Sequence, residues 1–540
     1  MRVLRKVSTL LIAAVSLMLG CTVIAQTTGV TLSVDAGSGF HYIDPNIYGM
    51  AVYGLQQDTG GVQFAHEIKL PNIRWGGDAT TRYNWEVDSS NSGADFYFLG
   101  GSGVSNPTPS GQVDTIIETF KPMGTNLLIT IPIIPYINKT SQYTCSYRES
   151  IYGPQQSYDP YTTVPPNNDQ CGNGVTLTGT NIIDTNIYYN NTDNAIATQR
   201  AWVQHLVDKF GTRGNGAIHY FQLDNEPGGW SNTHRDIEPN EPPYPEIVSL
   251  GKQYASGIKE VDPSAKILGP SDFTLGGWVG TPSQQDGLWA GQYYLQEFAA
   301  YDKENGSRSL DYFDEHFYGN GGSDPAEIQT TRALWDPTYN SGTWVEQYDF
   351  DGPMQLIPRF KSWIKQYYPG TKLSFSEYSM TTGDNIYDAL TEADTLGIFG
   401  REGLDFANLW DVPAPNTPVA YSFLLFRNYD GKGSQYGDVW VKSLSSDQTQ
   451  LAIYGSQRLT DLALTMIVIN KTANPLSSFV SISNFLSLAN KAKVYTYSAA
   501  NLTSIVSQPD ITLSKNHFVV QGFSGNFPAY SATVVVIPRI

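Results

Sequence analysis

Eight short apolar runs, separated by stretches with helical periodicity, dominate the middle of this 540-residue chain. Such alternation is typical of βα units, in which helices cover both faces of a parallel sheet. Eight successive units predict a closed (β/α)8 barrel of the TIM type. In chain order the predicted strands are Ile47–Tyr53, Asn72–Gly76, Asn126–Pro132, His219–Asn225, Lys266–Gly269, Tyr312–Phe317, Leu373–Tyr378 and Phe406–Trp410.

The pattern changes after about Arg427, where short alternating runs are separated by Gly, Ser, Asn and Pro. This texture predicts an antiparallel β-sandwich. The early run Val30–Val34 alternates in the same way and predicts an edge strand of that sandwich. The fold class is therefore α/β, a TIM-like (β/α)8 barrel with a β-sandwich built from the C-terminal segment plus an N-terminal strand. The predicted boundaries are 26–44 for the N-terminal strand, 45–427 for the barrel and 428–540 for the sandwich.

Residues 1–25 have the features of a secretory signal peptide. Three cations precede the apolar run Leu10–Leu19, which is too short to span a bilayer. Small residues at Val23–Ala25 resemble a signal-peptidase site. The sequence therefore predicts a secreted, extracellular protein with no membrane span. Lipid attachment at Cys21 is the alternative that these residues leave open.

Two cysteines, Cys145 and Cys171, remain if Cys21 leaves with the signal. In an oxidising compartment they are expected to form a disulfide, with two free thiols as the alternative. The segment between them is polar and rich in Tyr and Pro, so a crosslink there would stabilise it by restricting the unfolded chain.

The net charge of −18 argues against nucleic acid and anionic membranes as partners. Aromatic residues make up 13% of the chain, which suits a surface that stacks against sugar rings but also suits a large core. The charge instead favours a neutral or cationic partner, and the protein is expected to act as a monomer. The chain lacks a Gly-x-Ser-x-Gly elbow, a Walker loop and a dinucleotide glycine fingerprint.

Two glutamates stand at the ends of predicted strands: Glu226, in Asn225-Glu-Pro227, and Glu377, in Ser376-Glu-Tyr378. Catalytic groups of a (β/α)8 barrel lie at the C-terminal ends of its strands. Two carboxylates facing each other there can cleave a glycosidic bond, since one protonates the leaving oxygen while the other attacks or activates water. His316 and Tyr318 lie two apart on one face of the sixth strand, where they could orient a nucleophile by hydrogen bonds.

With these residues in place, the chain resembles glycoside hydrolase family 44, whose members are endo-β-1,4-glucanases and xyloglucanases with a TIM-like barrel and a β-sandwich. The resemblance covers nearly the whole mature chain. It rests on Tyr48-Gly49, Arg74–Trp85 followed by Asn91 and Asp95–Phe98, Asn225–Pro227, His316–Tyr318, Ser376–Tyr378 and Phe426–Gly431. One departure is Asp78, where the family pattern leads us to expect Asn.

The resemblance implies that Glu226 is the acid/base, that Glu377 is the nucleophile, and that the anomeric configuration is retained. Asn225 is expected to bind the 2-hydroxyl of the sugar, and Tyr378 and His316 to orient Glu377. The substrate-stacking residues are expected to be Trp75, Trp230 and Trp410. No cofactor is required; a structural calcium ion is possible in this family, but the sequence shows no specific ligand set, so no metal-binding residue is assigned.

Tryptophans spread over several predicted loops of the barrel rim indicate an open groove and therefore endo-acting cleavage. They are Trp75, Trp85, Trp230, Trp278 and Trp410. Two alternatives remain open: an exo-acting glycosidase such as an arabinofuranosidase, and a catalytically inactive polysaccharide-binding protein. The sequence does not decide between cellulose-type glucan, xyloglucan, mixed-linkage glucan and xylan as the preferred polymer.

Overall fold

The structure is a computed structural model. It describes residues 29–52, 59–183, 185–216, 218–273, 278, 285–319, 324–342, 352–410 and 412–539. The signal peptide predicted over 1–25, with the alternative at Cys21, lies outside these residues. In the part of the chain that is described, no helix is both long enough and apolar enough to cross a membrane.

Eight parallel strands close into a barrel, and their order around the barrel follows their order in the chain. Every predicted run supplies one of them, so the (β/α)8 prediction is confirmed. Most of their residues are buried, because helices cover the outer face of the sheet and side chains fill the barrel interior. The strands are Gly49–Val52, Asn72–Trp75, Asn126–Ile131, Ile218–Leu223, Lys266–Phe273, Tyr312–Tyr318, Lys372–Ser379 and Phe406–Leu409.

Helices surround the barrel and bury their apolar faces against its outer wall. The longer ones are Thr59–Ile68, Gly111–Phe120, Ile196–Phe210, Tyr244–Val261, Ala290–Asn305, Leu356–Tyr367, Ile386–Glu402 and Pro418–Arg427. Short helical turns, important for the site described below, follow the second and fourth strands at Asp78–Arg82, Gly93–Phe96, Pro227–Gly229 and Trp230–Thr233.

Helix Ile386–Glu402 is buried along nearly its whole length because it lies between the barrel and the sandwich. Asn385 begins it with a capping box, in which its side chain accepts the Asp388 N–H while Asp388 accepts the Asn385 N–H. Asp394, in its middle, accepts hydrogen bonds from Lys471 and Tyr454 of the sandwich at 2.6 and 2.7 Å. A buried ion pair thus joins the two parts of the chain.

A small disulfide-bonded subdomain lies between the third barrel strand and helix Ile196–Phe210. Cys145 and Cys171 form the predicted disulfide, and both are fully buried beside Val164. The short strands around it are Ser90–Asn91, Leu99–Gly101, Tyr136–Asn138, Thr144–Cys145, Tyr158–Val164, Asp169–Gly172 and Asn191–Asp193.

The C-terminal strands form a β-sandwich whose two halves share the strand Val439–Ser445. One apolar core fills the space between the halves, and the other face of one half packs on the barrel helices. The strands are Val439–Ser445, Leu451–Gln457, Leu464–Asn470, Leu476–Ser483, Lys491–Ser498, Asn501–Thr512, Ser514–Asn516, Val519–Phe527 and Ser531–Ile537.

The N-terminal strand Leu32–Asp35 joins this sandwich, as predicted, but it is not an edge strand. It pairs antiparallel with Val439–Ser445 and parallel with Leu476–Ser483, so it has a neighbour on both sides. Leu32 and Val34 are both about 1% exposed and lie in the sandwich core. The alternation of apolar and polar residues predicted this strand correctly. The pattern of a single strand does not show how many neighbouring strands it pairs with.

Candidate active site

Glu226 and Glu377 face each other at the C-terminal end of the barrel. Glu226 follows the fourth strand, and Glu377 lies near the end of the seventh. His316, on the sixth strand, is the register partner of Glu377. One carboxylate oxygen of each glutamate and a ring nitrogen of His316 lie within 4.8 Å of one another. The barrel therefore brings both predicted glutamates and the predicted histidine into one site.

Glu377 is surrounded by hydrogen-bond donors. Arg74 Nη1 lies 2.5 Å from its Oε2, and the Tyr318 hydroxyl donates to its Oε1 at 2.7 Å. Burial opposes ionisation of this carboxyl, but the Arg74 guanidinium and these hydrogen bonds favour it, and the pKa of Glu377 is lowered overall. These contacts therefore favour the ionised, carboxylate form of Glu377.

Arg74, on the second strand, is fully buried and forms hydrogen bonds to residues of the fourth and seventh strands. Its Nε donates to Gln222 and its Nη2 to Asn225, both at 2.6 Å, in addition to the bond to Glu377. A Cβ on Gly76 would come within 2.4 Å of the guanidinium, so only glycine fits there. The sequence motif pointed to this strand end, but no role was predicted for Arg74 or Gln222.

Glu226 has the opposite electrostatic environment. Burial and the nearby negative charge of Glu377 raise its pKa well above the usual value. Its Oε1 lies 2.8 Å from Nδ1 of His316. The backbone at Glu226 has φ +48°, and its N–H donates to the Ser271 carbonyl of the next strand at 2.9 Å. This turn directs the carboxyl toward the barrel axis, where it is held as an acid.

Asp272, at the end of the fifth strand, fixes the turn that carries Glu226. Both of its carboxylate oxygens lie 3.1 Å from the Gly228 N–H. A Cβ on Gly228 would approach this carboxylate to 2.9 Å, so the contact requires glycine. Burial raises the pKa of Asp272 to about 7, and the nearby Glu226 adds to the shift. The sequence analysis did not identify Asp272, although its position at a strand end was a usable signal.

Asn225 lies between Arg74 and Asp78. Its Oδ1 accepts from Arg74, and its Nδ2 donates to Asp78 Oδ1 at 2.7 Å. Burial raises the pKa of Asp78 well above its usual value, and the charges of Glu226 and Asp95 raise it further. The unusual Asp78 is thus directed at the site, in contact with the residue predicted to bind a sugar hydroxyl.

The prediction that Tyr378 orients Glu377 is wrong. Neighbouring residues of a strand point to opposite faces, so Tyr378 leaves the barrel on the helix side. Its hydroxyl donates to Glu392 at 2.7 Å, and its ring packs edge-on against Phe399. Tyr318, two residues beyond His316, donates to Glu377 instead. His316 is in the site as predicted, but its close contact is with Glu226; its Nδ1 is 3.9 Å from Glu377 Oε2.

Two of the three predicted stacking tryptophans are buried away from solvent. Trp75 is 4% exposed and packs edge-on against Tyr83 and Trp202; Trp230 is 1% exposed. Trp410 remains partly exposed, 6.0 Å from the Arg74 guanidinium and in close contact with Gly77. Of these three, Trp410 is the residue that can present a face to a ligand.

Trp278, another of the predicted rim aromatics, also fails as a stacking residue. Trp278 is fully buried against Phe317 and Phe360. Trp85 is partly exposed, and its indole N–H donates to the Thr198 carbonyl on an outer helix. Replacing Trp230 or Trp278 is therefore expected to weaken the fold rather than the binding of long substrates. The presence of a tryptophan in a rim loop did not show whether its ring faces the substrate or packs against the outer helices.

Glu226, His316 and Glu377 form the one cluster, among the described residues, whose ligand atoms could surround a metal ion. The Arg74 guanidinium already neutralises Glu377, and the raised pKa of Glu226 favours its uncharged form. This chemistry suits acid and nucleophile better than two metal ligands. The structural calcium ion considered above stays a prediction.

A (β/α)8 barrel with two unlike, facing carboxylates at its C-terminal end is the arrangement that barrel glycosidases use. Comparison with known proteins agrees with this class. A family model described as glycoside hydrolase family 44 matches residues 89–321. CelM2, a bifunctional glucanase-xylanase from a metagenome library, is 33% identical with a TM-score of 0.86, covering 95% of this chain and 99% of CelM2. The chain belongs to glycoside hydrolase family 44.

Two further relatives carry names from the same family or activity class. A Paenibacillus polymyxa xyloglucanase of family 44 is 26% identical with a TM-score of 0.77, covering 94% of this chain and 99% of that one. Endoglucanase A of Paenibacillus lautus is 29% identical over 482 residues, which is 83% of this chain. The chain spans 64% of the length of that endoglucanase.

Proposed function

We propose that this protein is a secreted, monomeric, endo-acting glycoside hydrolase that cleaves β-1,4-glucan backbones, including xyloglucan, with retention of configuration. The observation that carries the proposal is the pair Glu226 and Glu377. Their carboxylate oxygens lie within 4.8 Å, and their pKa values are shifted in opposite directions. Retaining enzymes bring their two carboxyl groups to about 5–5.5 Å, whereas inverting enzymes need roughly 6.5–9.5 Å to admit a water molecule.

In the first step Glu377 attacks the anomeric carbon and forms a glycosyl–enzyme bond. The bond from that carbon to the leaving oxygen breaks, and Glu226 transfers its proton to this oxygen. Hydrogen bonds from Arg74 and Tyr318 keep Glu377 ionised and orient its carboxylate toward the anomeric carbon. Asn225, fixed between Arg74 and Asp78, offers its second amide hydrogen to a sugar hydroxyl.

In the second step Glu226, now a carboxylate, removes a proton from a water molecule. The water oxygen attacks the anomeric carbon as this proton leaves, and the bond to Glu377 breaks. The proton taken from water restores the acid form of Glu226. Two displacements on the same carbon restore the original configuration.

The names of the relatives support the choice of polymer, since they include a glucanase-xylanase, a xyloglucanase and an endoglucanase. The net charge of −18 also suits a neutral polysaccharide. Of these names, endoglucanase supports endo-acting cleavage. The rim tryptophans no longer support it, because Trp75, Trp230 and Trp278 are buried. Secretion is inferred from the N-terminal sequence.

The test combines replacement of each glutamate with the stereochemistry of the product. Glu377→Gln should abolish turnover of xyloglucan, whereas Glu226→Gln should slow natural substrates far more than aryl glycosides with activated leaving groups. The matched control is Glu392→Gln, which replaces a buried glutamate on the helix side of the barrel wall. This variant should retain turnover. NMR of the first product should show the β-anomer, and azide should rescue Glu377→Gly with inverted product. An α-anomer from the wild-type enzyme would contradict the proposal.

Cleavage position is tested by viscosity. An endo-acting enzyme should reduce the viscosity of soluble β-1,4-glucan or xyloglucan rapidly while releasing little monosaccharide. Glucose or arabinose as the dominant first product, with viscosity unchanged, would favour the exo-acting alternative. No turnover on any of the polymers would favour the binding protein.

A further inference from the structure

A line of fully buried polar side chains runs from inside the barrel to Glu226. Asp314 Oδ2 lies 2.5 Å from Ser376 Oγ, and Ser376 Oγ lies 3.1 Å from His316 Nε2. The other ring nitrogen of His316, Nδ1, is 2.8 Å from Glu226 Oε1. Asp314, Ser376 and His316 are each 0% exposed, so no bulk water competes for these contacts.

Asp314 acts as an acceptor in every contact it makes here. Its two oxygens accept hydrogen bonds from the hydroxyls of Ser271, Ser374 and Ser376 at 2.5–2.6 Å. They also accept one from the Ser376 N–H at 2.9 Å. A hydroxyl has one proton to donate. The Ser376 proton is used toward Asp314, so Ser376 Oγ can only accept from His316.

His316 must then carry its proton on Nε2. Gln222 Nε2 is 3.5 Å from the same nitrogen, which is too long for a strong hydrogen bond. Burial lowers the pKa of His316 to about 4, which favours a neutral ring with one proton. In this tautomer Nδ1 has a free lone pair directed at Glu226.

We propose that Asp314 and Ser376 are positioning residues that hold His316 in its Nε2–H tautomer, so that Nδ1 accepts the proton of the Glu226 carboxyl. This inference rests on the proposed function, because it assigns Glu226 the role of acid. A hydrogen bond made to the protonated carboxyl favours that form. Once Glu226 has given its proton to the leaving oxygen, the Nδ1 lone pair faces a carboxylate, which promotes recovery of the proton from water.

Other charged groups also face this pair. Glu377, Arg74, Asp314 and Asp272 act on His316, and Glu377, Arg74 and Asp95 act on Glu226. They are present in all the serine variants described below, so these variants isolate the effect of the tautomer. The reverse arrangement would place protons on Asp314, on Ser376 toward His316 Nε2, and on Nδ1 toward a Glu226 carboxylate.

Neutron diffraction from perdeuterated crystals of the wild-type enzyme distinguishes the two arrangements without using activity. We expect a deuteron on Nε2 of His316 and on Glu226 Oε1, and none on Asp314. A deuteron on Nδ1 would overturn the proposal. If Nδ1 is deuterated while Glu226→Gln is inactive on xyloglucan, the relay fails and the proposed function stands; if Glu226→Gln retains full turnover, the proposed function fails.

Serine variants test the consequence in solution. Ser376→Ala removes the acceptor for His316 Nε2–H and should move the basic limb of the kcat/KM profile to lower pH by roughly half to one unit, the scale of one hydrogen bond. Ser376→Thr keeps the hydroxyl and should restore the limb. Ser374→Ala is the matched control, since it loses a similar bond to Asp314 without touching His316. A basic limb at the wild-type position in Ser376→Ala, or an equal shift in Ser374→Ala, would overturn the proposal.

Discussion

Arg74 and Glu377 form a buried ion pair across the barrel, with Nη1 2.5 Å from Oε2. Arg74 is 0% exposed and the Glu377 side chain 9%, so water screens the pair weakly. The same guanidinium also binds Gln222 and Asn225, so this residue of the second strand, together with Tyr318, fixes the position and the ionisation of Glu377. Arg74 therefore holds the carboxylate that we propose as the nucleophile.

Arg74→Lys keeps the charge but cannot reach three acceptors from one ammonium group with the same geometry. We expect kcat/KM on xyloglucan to fall roughly 100-fold or more, because hydrogen bonds to charged groups contribute about 1.5–3 kcal/mol each. The pKa of Glu377 should rise, which moves the acid limb of the profile to higher pH. Arg82→Lys, which alters another buried arginine paired with Asp236, should lower the melting temperature but leave the acid limb unchanged.

Asp78→Asn tests whether the unusual carboxyl acts in its neutral form. Because the pKa of Asp78 is raised, the residue is protonated at acidic pH, and Asn can replace it as an acceptor for Asn225. We expect kcat/KM at acidic pH to change less than about threefold. Asp78→Leu removes the acceptor and should cost about tenfold, the equivalent of one hydrogen bond. Equal losses in both variants would show that the charge of Asp78 matters.

Much of this fold could be predicted because the barrel strands are buried on both faces and separated by helices. Glu226 and Glu377 were found from their places at strand ends, where barrel geometry brings side chains together. Tyr318 was placed correctly by the two-residue spacing from His316, and the same rule applied to Tyr378 would have directed it away from Glu377.

Other features depend on packing that no local pattern carries. Trp230 and Trp278 stand in loops, yet the surrounding helices bury them. The link from Asp314 through Ser376 to His316 joins two strands distant in sequence, and its role appears only when hydrogen-bond directions are considered together. The contact of Arg74 with Glu377 joins residues 303 positions apart.

Glu392 should make the folded protein less stable as pH rises. This glutamate is fully buried, its Oε1 accepts the Tyr378 hydroxyl, and burial raises its pKa from 4.5 to about 7. The unfolded chain loses this proton near pH 4.5, whereas the folded protein keeps it until about pH 7. The stability that the protonated form contributes is therefore complete below pH 4.5 and lost as pH rises through 7. The difference in pKa corresponds to at most about 3 kcal/mol.

Glu392→Gln should remove this part of the pH dependence while keeping an acceptor for Tyr378. The measurement is the free energy of unfolding in urea at pH 5 and pH 8 for the wild type and the variant. Glu67→Gln, a change at an exposed glutamate, should leave the wild-type slope in place. A variant whose stability still falls between the two pH values as steeply as the wild type would exclude Glu392 as the source.

The disulfide Cys145–Cys171 should stabilise the subdomain between the third barrel strand and helix Ile196–Phe210. It closes a loop of 26 positions, for which the loss of entropy in the unfolded chain amounts to about 3 kcal/mol. Cys145→Ser should lower the melting temperature, and the double variant with Cys171→Ser should lower it by a similar amount, since the same crosslink is lost. Exported wild-type protein should show no thiol when denatured without reductant. Two titratable thiols, or an unchanged melting temperature in the double variant, would contradict a stabilising crosslink.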